Sequence, residues 1–520
     1  YDEDDIAQLI IENNLHGVDL DDRAIQLAQL GLWIKAKQKR RSIGKLNFNV
    51  VSSDFNLPDF DFVYPLFKEG VTDAKQLAII EEIWIDLQDA HKFGSLIRIE
   101  EKLSIKLHGI LNKDGITLFD AQEVVEYNRF KNEFFKNLET AVTQYATQQG
   151  NSFLTDKTKD AITFLRLITQ RYDVATANPP YTNSVEFGPD LKKFVESNYK
   201  KPYKFNTNLY ATFIKRSFEL TNENGKVAMI SPNTFMFIKT FESVREFLLN
   251  KTKIELLVDY GLDRVNLFGG DILLDSACWY VFSKTTDDYK GTYIDIVSNL
   301  QEKQKKQTLS TVVNDVRNEI SNSRVNFINQ KEFKFINSQP FIHWISNDFR
   351  TKFSLQKTED VLFVKRGCET NNNNRFLKFW WEIPQYKLSL ELSDEKEYPL
   401  YGKGGAYRKW AGNLWLTVDF RKEQYQQINE IGNLSSEEFY GQKGVTYSAS
   451  GQKGPSFRIL PVNSVFDVGG SSIFPNKYKN IEFYLAFFNS KLTSYLIRCL
   501  NPTVNTQISD IKRLPFITPI

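Results

Sequence analysis

The chain has 520 residues, a hydrophobic fraction of 41%, a charged fraction of 25% and a formal net charge of +2. That describes an ordinary folded protein of about three domains with sizeable cores. Three cysteines far apart (Cys278, Cys368, Cys499) exclude a disulfide framework and a cysteine metal site, and no apolar run approaches the roughly 20 residues of a membrane span, so a cytoplasmic protein without a metal is expected. The charge is uneven: from Thr351 onward there are 22 Lys and Arg against 16 Asp and Glu, a basic C-terminal third that suits a polyanionic partner.

Taken in order, NLHGVDLDDRAIQLAQLGLWIKAK reads as a short strand over Leu15–Asp19, a turn, and an amphipathic helix from about Asp22. LNFNVVSSDF is a second strand that ends in the acidic turn at Asp54. A helical insertion over about 56–165 follows. Leu77, Ile80, Trp84 and Leu87 recur there at helical spacing, as do Val124, Tyr127, Phe134, Leu138, Val142 and Tyr145. Strands return at Tyr172–Ala177, in GKVAMISPNTF (Gly225–Phe235), at Ile254–Gly261 and at Asp275–Lys284. Strands alternating with helices predict an α/β fold with a doubly wound, largely parallel sheet. QEKQKKQ (Gln301–Gln307) opens a polar linker, so 286–352 is expected to be a linker and helical spacer. Beyond Phe353 the chain is rich in Gly, Asn and aromatics, an α+β module expected over 353–520, and FYLAFFNSKLTSYLIRCL reads as one closing apolar helix.

Three strand ends carry chemistry. Asp19 ends the first strand, Asp54 follows the second, and Asn178 opens NPPY directly after the third. In open α/β sheets ligands sit beyond the carboxyl ends of strands, where an acid commonly holds ribose hydroxyls. An acid after a strand is also an ordinary helix cap, and Asp21 and Asp22 are read that way. NPPY must end its strand, because proline supplies no N–H and fixes its own φ. The turn is therefore a rigid holder of an amide and a phenol.

These motifs resemble those of class I S-adenosylmethionine-dependent DNA methyltransferases of the adenine-specific, amino-methylating type. The resemblance narrows to the methyltransferases of BREX phage-defence systems through NLYATFIKRSFELT, GCETNNNNRFLKFWWE, YGKGGAYRKW, SFRILPVNSVFDVGGSSIFP and LNPTVNTQISDIKRLP. It implies that Asn178, Pro179, Pro180 and Tyr181 form the catalytic turn. Acceptors from the Asn178 side chain and the Pro179 carbonyl favour a localised lone pair on the adenine amine. The target adenine must be flipped out of the duplex, and Tyr181 then stacks on it. It implies further that Asp19 accepts from the ribose hydroxyls of S-adenosylmethionine, Asp54 from its adenine amine, and that Phe55 packs on that ring. Where Asn208 precedes Leu209 and Tyr210, the family usually has Asp.

The C-terminal third is then the DNA target-recognition domain, with Asn371, Arg375, Lys403, Arg408, Lys409, Lys453 and Arg458 as candidate contacts to double-stranded DNA. The FF and WW pairs are read as core. Two other readings stay open: part of a fused restriction–methylation enzyme, and a non-catalytic DNA-binding subunit. The family's glycine-rich turn, which contacts the cofactor's methionine end, follows a strand that should precede the Asp19 strand. FGGD, GKGGAY and DVGGSS do not supply it. An N-terminally truncated portion, with weak cofactor binding, is therefore expected.

Overall fold

Backbone pairing in the first strands is local and parallel. In the computed structural model, which describes residues 5–39, 44–55, 74–100, 152–261, 277–285, 288–297, 302–389, 397–451, 453–476 and 480–516 with isolated positions between, the chain divides into two units, Tyr1–Met229 and Ile230–Ile520.

The first unit opens with α1 (Ile6–Asn13), β1 (His16–Asp19), α2 (Asp22–Lys39) and β2 (Asn49–Ser52). β1 and β2 pair in parallel, with His16 opposite Asn49 and Asp19 opposite Ser52. Gln29 on α2 donates to the Val50 carbonyl at 2.9 Å and ties helix to strand. On α3 (Ala74–Gln88), Ile80, Trp84 and Leu87 are buried and Leu77 is half-buried, as their spacing predicts. They form one core with Phe55, Ile97 and with Phe164, Leu165 and Ile168 of α4 (Ser152–Thr169). The second stripe of the insertion, Val124 to Tyr145, lies outside the described residues.

From α4 the chain enters β3 (Tyr172–Ala177), which pairs in parallel with β4 (Thr221–Ser231). The register between them shifts after Tyr172. Gly225 permits that irregularity, since a Cβ there would lie 2.9 Å from the Tyr172 carbonyl oxygen. Between the strands run α5 (Pro189–Tyr199) and α6 (Leu209–Leu220). Arg216 of α6 is buried, paired with Glu100, and donates to the Ser95 carbonyl at 2.6 Å. A buried guanidinium needs such a full set of partners, because desolvation otherwise opposes its charge.

In the second unit, α7 (Glu242–Lys251) leads to β5 (Lys253–Gly261), β6 (Ala277–Ser283), β7 (Lys290–Asp295) and β8 (Val325–Asn329). β5 pairs antiparallel with β6 and parallel with β7, and β7 pairs antiparallel with β8. The sheets are thus mixed, not largely parallel: strand alternation fixes which residues are strands but not their direction. Residues 286–352 are more than a spacer, since they supply β7 and β8. Of the polar QEKQKKQ run, Glu302–Gln307 lie in α8 (Glu302–Arg317), not in a linker. Leu309, Val312 and Val316 further along that helix pack with Val258 and Ile294, and Lys305 donates to the Tyr260 carbonyl at 2.9 Å.

The remaining chain gives β9 (Leu362–Lys365), β10 (Leu377–Phe379), β11 (Leu400–Gly402), β12 (Leu416–Val418), α9 (Lys422–Ile431), β13 (Gly444–Tyr447), β14 (Phe457–Leu460), β15 (Ser464–Phe466), β16 (Ser472–Pro475), α10 (Ile481–Asn489) and α11 (Lys491–Leu500). One four-stranded sheet runs β14-β13-β16-β9 and another β10-β12-β11-β15. The closing apolar run is two helices, not one. Ser490 is extended between them and accepts from Thr493 N–H at 3.1 Å, a cap that starts a new helix. Asn489 beside it bonds both the N–H and the carbonyl of Phe457 on β14. Among the described residues no helix is long and apolar enough to cross a membrane.

Candidate active site

The parallel register of β1 and β2 brings two of the expected carboxylates to one corner. Asp19 is the last residue of β1, and its carbonyl accepts from Ser53 N–H at 2.9 Å, which draws the end of β2 alongside. Asp19 Oδ1 accepts from Asp21 N–H at 2.9 Å, fixing the turn into α2. Asp54 lies two residues past Ser52 and its N–H bonds Ser52 Oγ at 3.0 Å. Both carboxylates are exposed, acceptor-only groups at strand ends, which suits ribose hydroxyl and amine donors. Asp21 and Asp22 behave as read. Asp21 binds Arg23 at its N–H and guanidinium, and Asp22 opens α2.

Phe55 does not fit its expected role. It is buried, with its ring edge-on to Phe164 at 5.4 Å inside the insertion's core, and so presents no open face to a ligand.

The NPPY turn follows β3 directly, as its prolines require. Asn178 is exposed, Pro179 buried and Tyr181 half-buried. The Tyr181 hydroxyl donates to Asn178 Oδ1 at 2.8 Å, so the amide and the phenol of the motif are joined. The far side of the turn is clamped to the start of α6. Leu209 N–H bonds the Thr182 carbonyl at 3.0 Å, Ser184 N–H bonds the Thr207 carbonyl at 3.2 Å, and Asn183 and Asn208 form an antiparallel bridge. Asn208 caps α6 through Tyr210 N–H at 3.2 Å and donates from Nδ2 to the Tyr181 carbonyl at 3.4 Å. An aspartate could make the cap but not that donation, so the departure from the family's usual residue changes how the turn is held. The sequence names Asn208 only as a departure; its role emerges from the fold.

The seven candidate DNA contacts lie in the second unit and separate into two groups. Asn371 donates to the Ile431 carbonyl at 2.5 Å and Arg375 to Gln427, so both hold α9. Lys409 Nζ donates to the Asn489 carbonyl at 2.8 Å. Arg458 is fully buried on β14, donating to Ser448 Oγ at 3.1 Å and to the Lys403 carbonyl at 3.0 Å. Burial brings its guanidinium down to about 10, and it cannot reach a phosphate. Lys403 is half-buried, whereas Arg408 and Lys453 are exposed. Trp380 and Trp381, read as core, are exposed instead. The cysteines are all buried, and burial pushes the Cys499 thiol up to about 11 and that of Cys368 to about 12, so neither is poised as a nucleophile. Among the described residues no group of His, Cys, Asp and Glu could hold a metal ion.

Residues 13–268 match the family model described as Eco57I restriction-modification methylase. Across 99% of its length the chain is 26% identical to the adenine-specific methyltransferase PglX of Lacticaseibacillus casei (strain Zhang), covering 41% of that protein. It is also 26% identical to the adenine-specific methyltransferase BrxX of Escherichia coli O9:H4 (strain HS), over 99% of this chain and 41% of that one. Among solved structures, the Type IIL restriction-modification enzyme MmeI in complex with DNA aligns at a TM-score of 0.43 and 12% identity, covering 89% of this chain and 67% of that chain. The chain spans 41% of the length of the two curated methyltransferases it matches. By sequence, residues 13–268 are therefore similar to Eco57I-type restriction-modification methylases, and the chain along 99% of its length to the adenine-specific methyltransferases PglX and BrxX.

Proposed function

We propose that this chain is the methylating and DNA-recognising part of a site-specific adenine methyltransferase that marks host DNA in a BREX-type phage-defence system. The observation that carries this reading is the rigid Asn178–Tyr181 turn at the end of β3, held from behind by α6. Bound S-adenosylmethionine would supply an electrophilic methyl group, with Asp19 and Asp54 accepting from its adenosine half. Asn178 Oδ1 and the Pro179 carbonyl accept the two amine hydrogens of a flipped adenine, and the nitrogen lone pair is thereby localised for attack. The amine attacks as a neutral group, so the turn needs no general base beforehand. Residues 1–285 form the methyltransferase domain in this reading and 353–520 the recognition domain.

The Asn178 acceptor is held by the Tyr181 phenol at 2.8 Å. An entering adenine amine replaces that donor, and the released ring is then placed to stack on the base. Replacing Asn178 by Ala should lower methyl transfer by about 10²–10³-fold while DNA binding persists, because the acceptor acts as charge develops. Sequencing of modified bases in cells carrying the intact locus is the check. A normal level of adenine marking by the Asn178→Ala protein would overturn the assignment.

A further parallel strand between β1 and β3, followed by a glycine-rich turn for the cofactor's methionine end, completes the site in this reading. One observation supports it: β1 pairs only with β2 and β3 only with β4 among the described residues, leaving an open edge on each. Isothermal titration of the 520-residue chain with S-adenosylmethionine should therefore show weak binding or none. Micromolar affinity would mean that the described strands suffice.

A further inference from the structure

In the β10-β12-β11-β15 sheet, β10 and β11 both run antiparallel to β12. The ends of β10 and β11 and the start of β12 therefore share one end of the sheet. Large aromatic side chains project there unburied. Phe379 closes β10, and Trp380 and Trp381 follow it. Tyr407 and Trp410 lie on the loop between β11 and β12. All five are exposed, Trp381 at 58% and Trp410 at 53%. So much unburied aromatic surface at one place is the mark of a binding surface.

Their positions are fixed. Phe379 and Trp381 stack at 4.6 Å with planes 8° apart, and Trp380 meets Trp381 edge-on at 5.5 Å. Glu382 accepts from Phe379 N–H at 2.8 Å, and Trp380 N–H bonds the Trp415 carbonyl at 3.0 Å. Trp410 has φ of 77°, a left-handed conformation that opposes a bulky side chain. Its backbone is nonetheless locked to β14 on both sides, through the Phe457 carbonyl at 2.8 Å and Ile459 N–H at 3.1 Å.

Charge selects the partner. Lys378 is exposed beside Phe379, Arg408 is exposed two residues before Trp410, and Lys453 Nζ lies 5.8 Å from the centre of the Tyr407 ring. Among the described residues none of these three cations has a carboxylate partner. The nearby carboxylate of Glu382 is occupied, since it accepts from Phe379 N–H within its own turn. Flat π faces together with unneutralised cations match a polyanion that carries stackable rings.

We propose that this end of the sheet is a nucleobase-stacking surface for DNA, with Trp410 and the Phe379–Trp381 pair against bases and Lys378, Arg408 and Lys453 against phosphates. It rests on the DNA-modifying reading above and adds to it the groups that hold the nucleic acid.

The test is a fluorescence titration of the 520-residue chain with short labelled duplex and single-stranded DNA over a range of salt. Trp410→Gly and Trp381→Ala should each weaken binding about tenfold, within the range set by loss of one stacked base, and leave the salt slope unchanged. Glycine accepts a positive φ, so Trp410→Gly should keep its fold, which circular dichroism checks; Trp381→Ala gives an independent reading. A Lys378→Gln, Arg408→Gln pair should instead lower the salt slope by roughly 1 per cation. Unchanged affinity in both tryptophan variants would overturn the proposal and leave the surface to a protein partner. Absence of DNA binding even at low salt would overturn it as well. Adenine marking by the Asn178→Ala protein bears on the catalytic reading alone, so the two failures are distinguishable.

Discussion

Along α2, Leu27, Leu30 and Ile34 succeed one another at helical spacing and all three are exposed, as are Ile6 and Ile10 on α1. Along β13 and β15 every residue from Gly444 to Tyr447 and from Ser464 to Phe466 is buried. The contrast is one of self-sufficiency. The sheet of β9, β13, β14 and β16 packs against α10 and α11 to make a core from its own chain, with Tyr447, Phe457, Ile473, Phe488 and Leu496 in one cluster. The opening helices leave an apolar stripe, and β1, β2 and β3 each an open edge, uncovered among the described residues. In the first unit, order around the NPPY turn comes from polar groups: the Arg216–Glu100 pair, Arg98 with Glu219 at 2.6 Å, and the clamp at Asn208.

This contrast can be broken by substitution. Phe488 is buried and stacks on Phe457 at 5.1 Å, so Phe488→Ala should cost about 3–5 kcal/mol in urea denaturation of the second unit. A cost well below this would show that the core is looser than its burial implies. Arg216→Ala leaves Glu100 buried without its guanidinium and should cost about 3 kcal/mol or more, seen as earlier unfolding of the first unit. A neutral outcome would remove the claim that polar groups order that unit. The smallest effect is expected at the stripe. Leu30→Ser should change stability by no more than about 0.5 kcal/mol, as for other exposed positions. Several kcal/mol lost there would mean that the chain covers α2 itself.

Much of the first unit was legible in the sequence because its punctuation is chemical. Pro179 and Pro180 stop β3 where the apolar run stops, and Asp22 begins α2 as expected. Strand direction was not legible, since an apolar run such as that of β6 looks alike in either sense. α8 was misread because its apolar residues, Leu309, Val312 and Val316, lie beyond the polar run that opens it. Ser490 went unnoticed because the apolar run continues on both sides of it. At the candidate site, the NPPY motif is legible as a turn that ends β3, but where each side chain stands depends on burial. Phe55 and Arg458 carry the expected chemistry and are enclosed, whereas Trp380 and Trp381 carry core chemistry and are exposed. Asn371 and Arg375 sit in a basic, amide-rich motif, yet their side chains serve α9.

The hydroxyl of Tyr181 makes the NPPY turn a competitor for its own acceptor. In the proposed reaction an incoming base must return a donor of equal quality, or Asn178 Oδ1 is left bare behind the base at a penalty of about 1–3 kcal/mol. Thymine carries no exocyclic amine and offers only its ring N3–H, so it cannot present two hydrogens of one nitrogen to the Asn178 and Pro179 acceptors together. In that reaction the resting contact would act as a chemical filter, in which the motif tests for an amine before any methyl group moves.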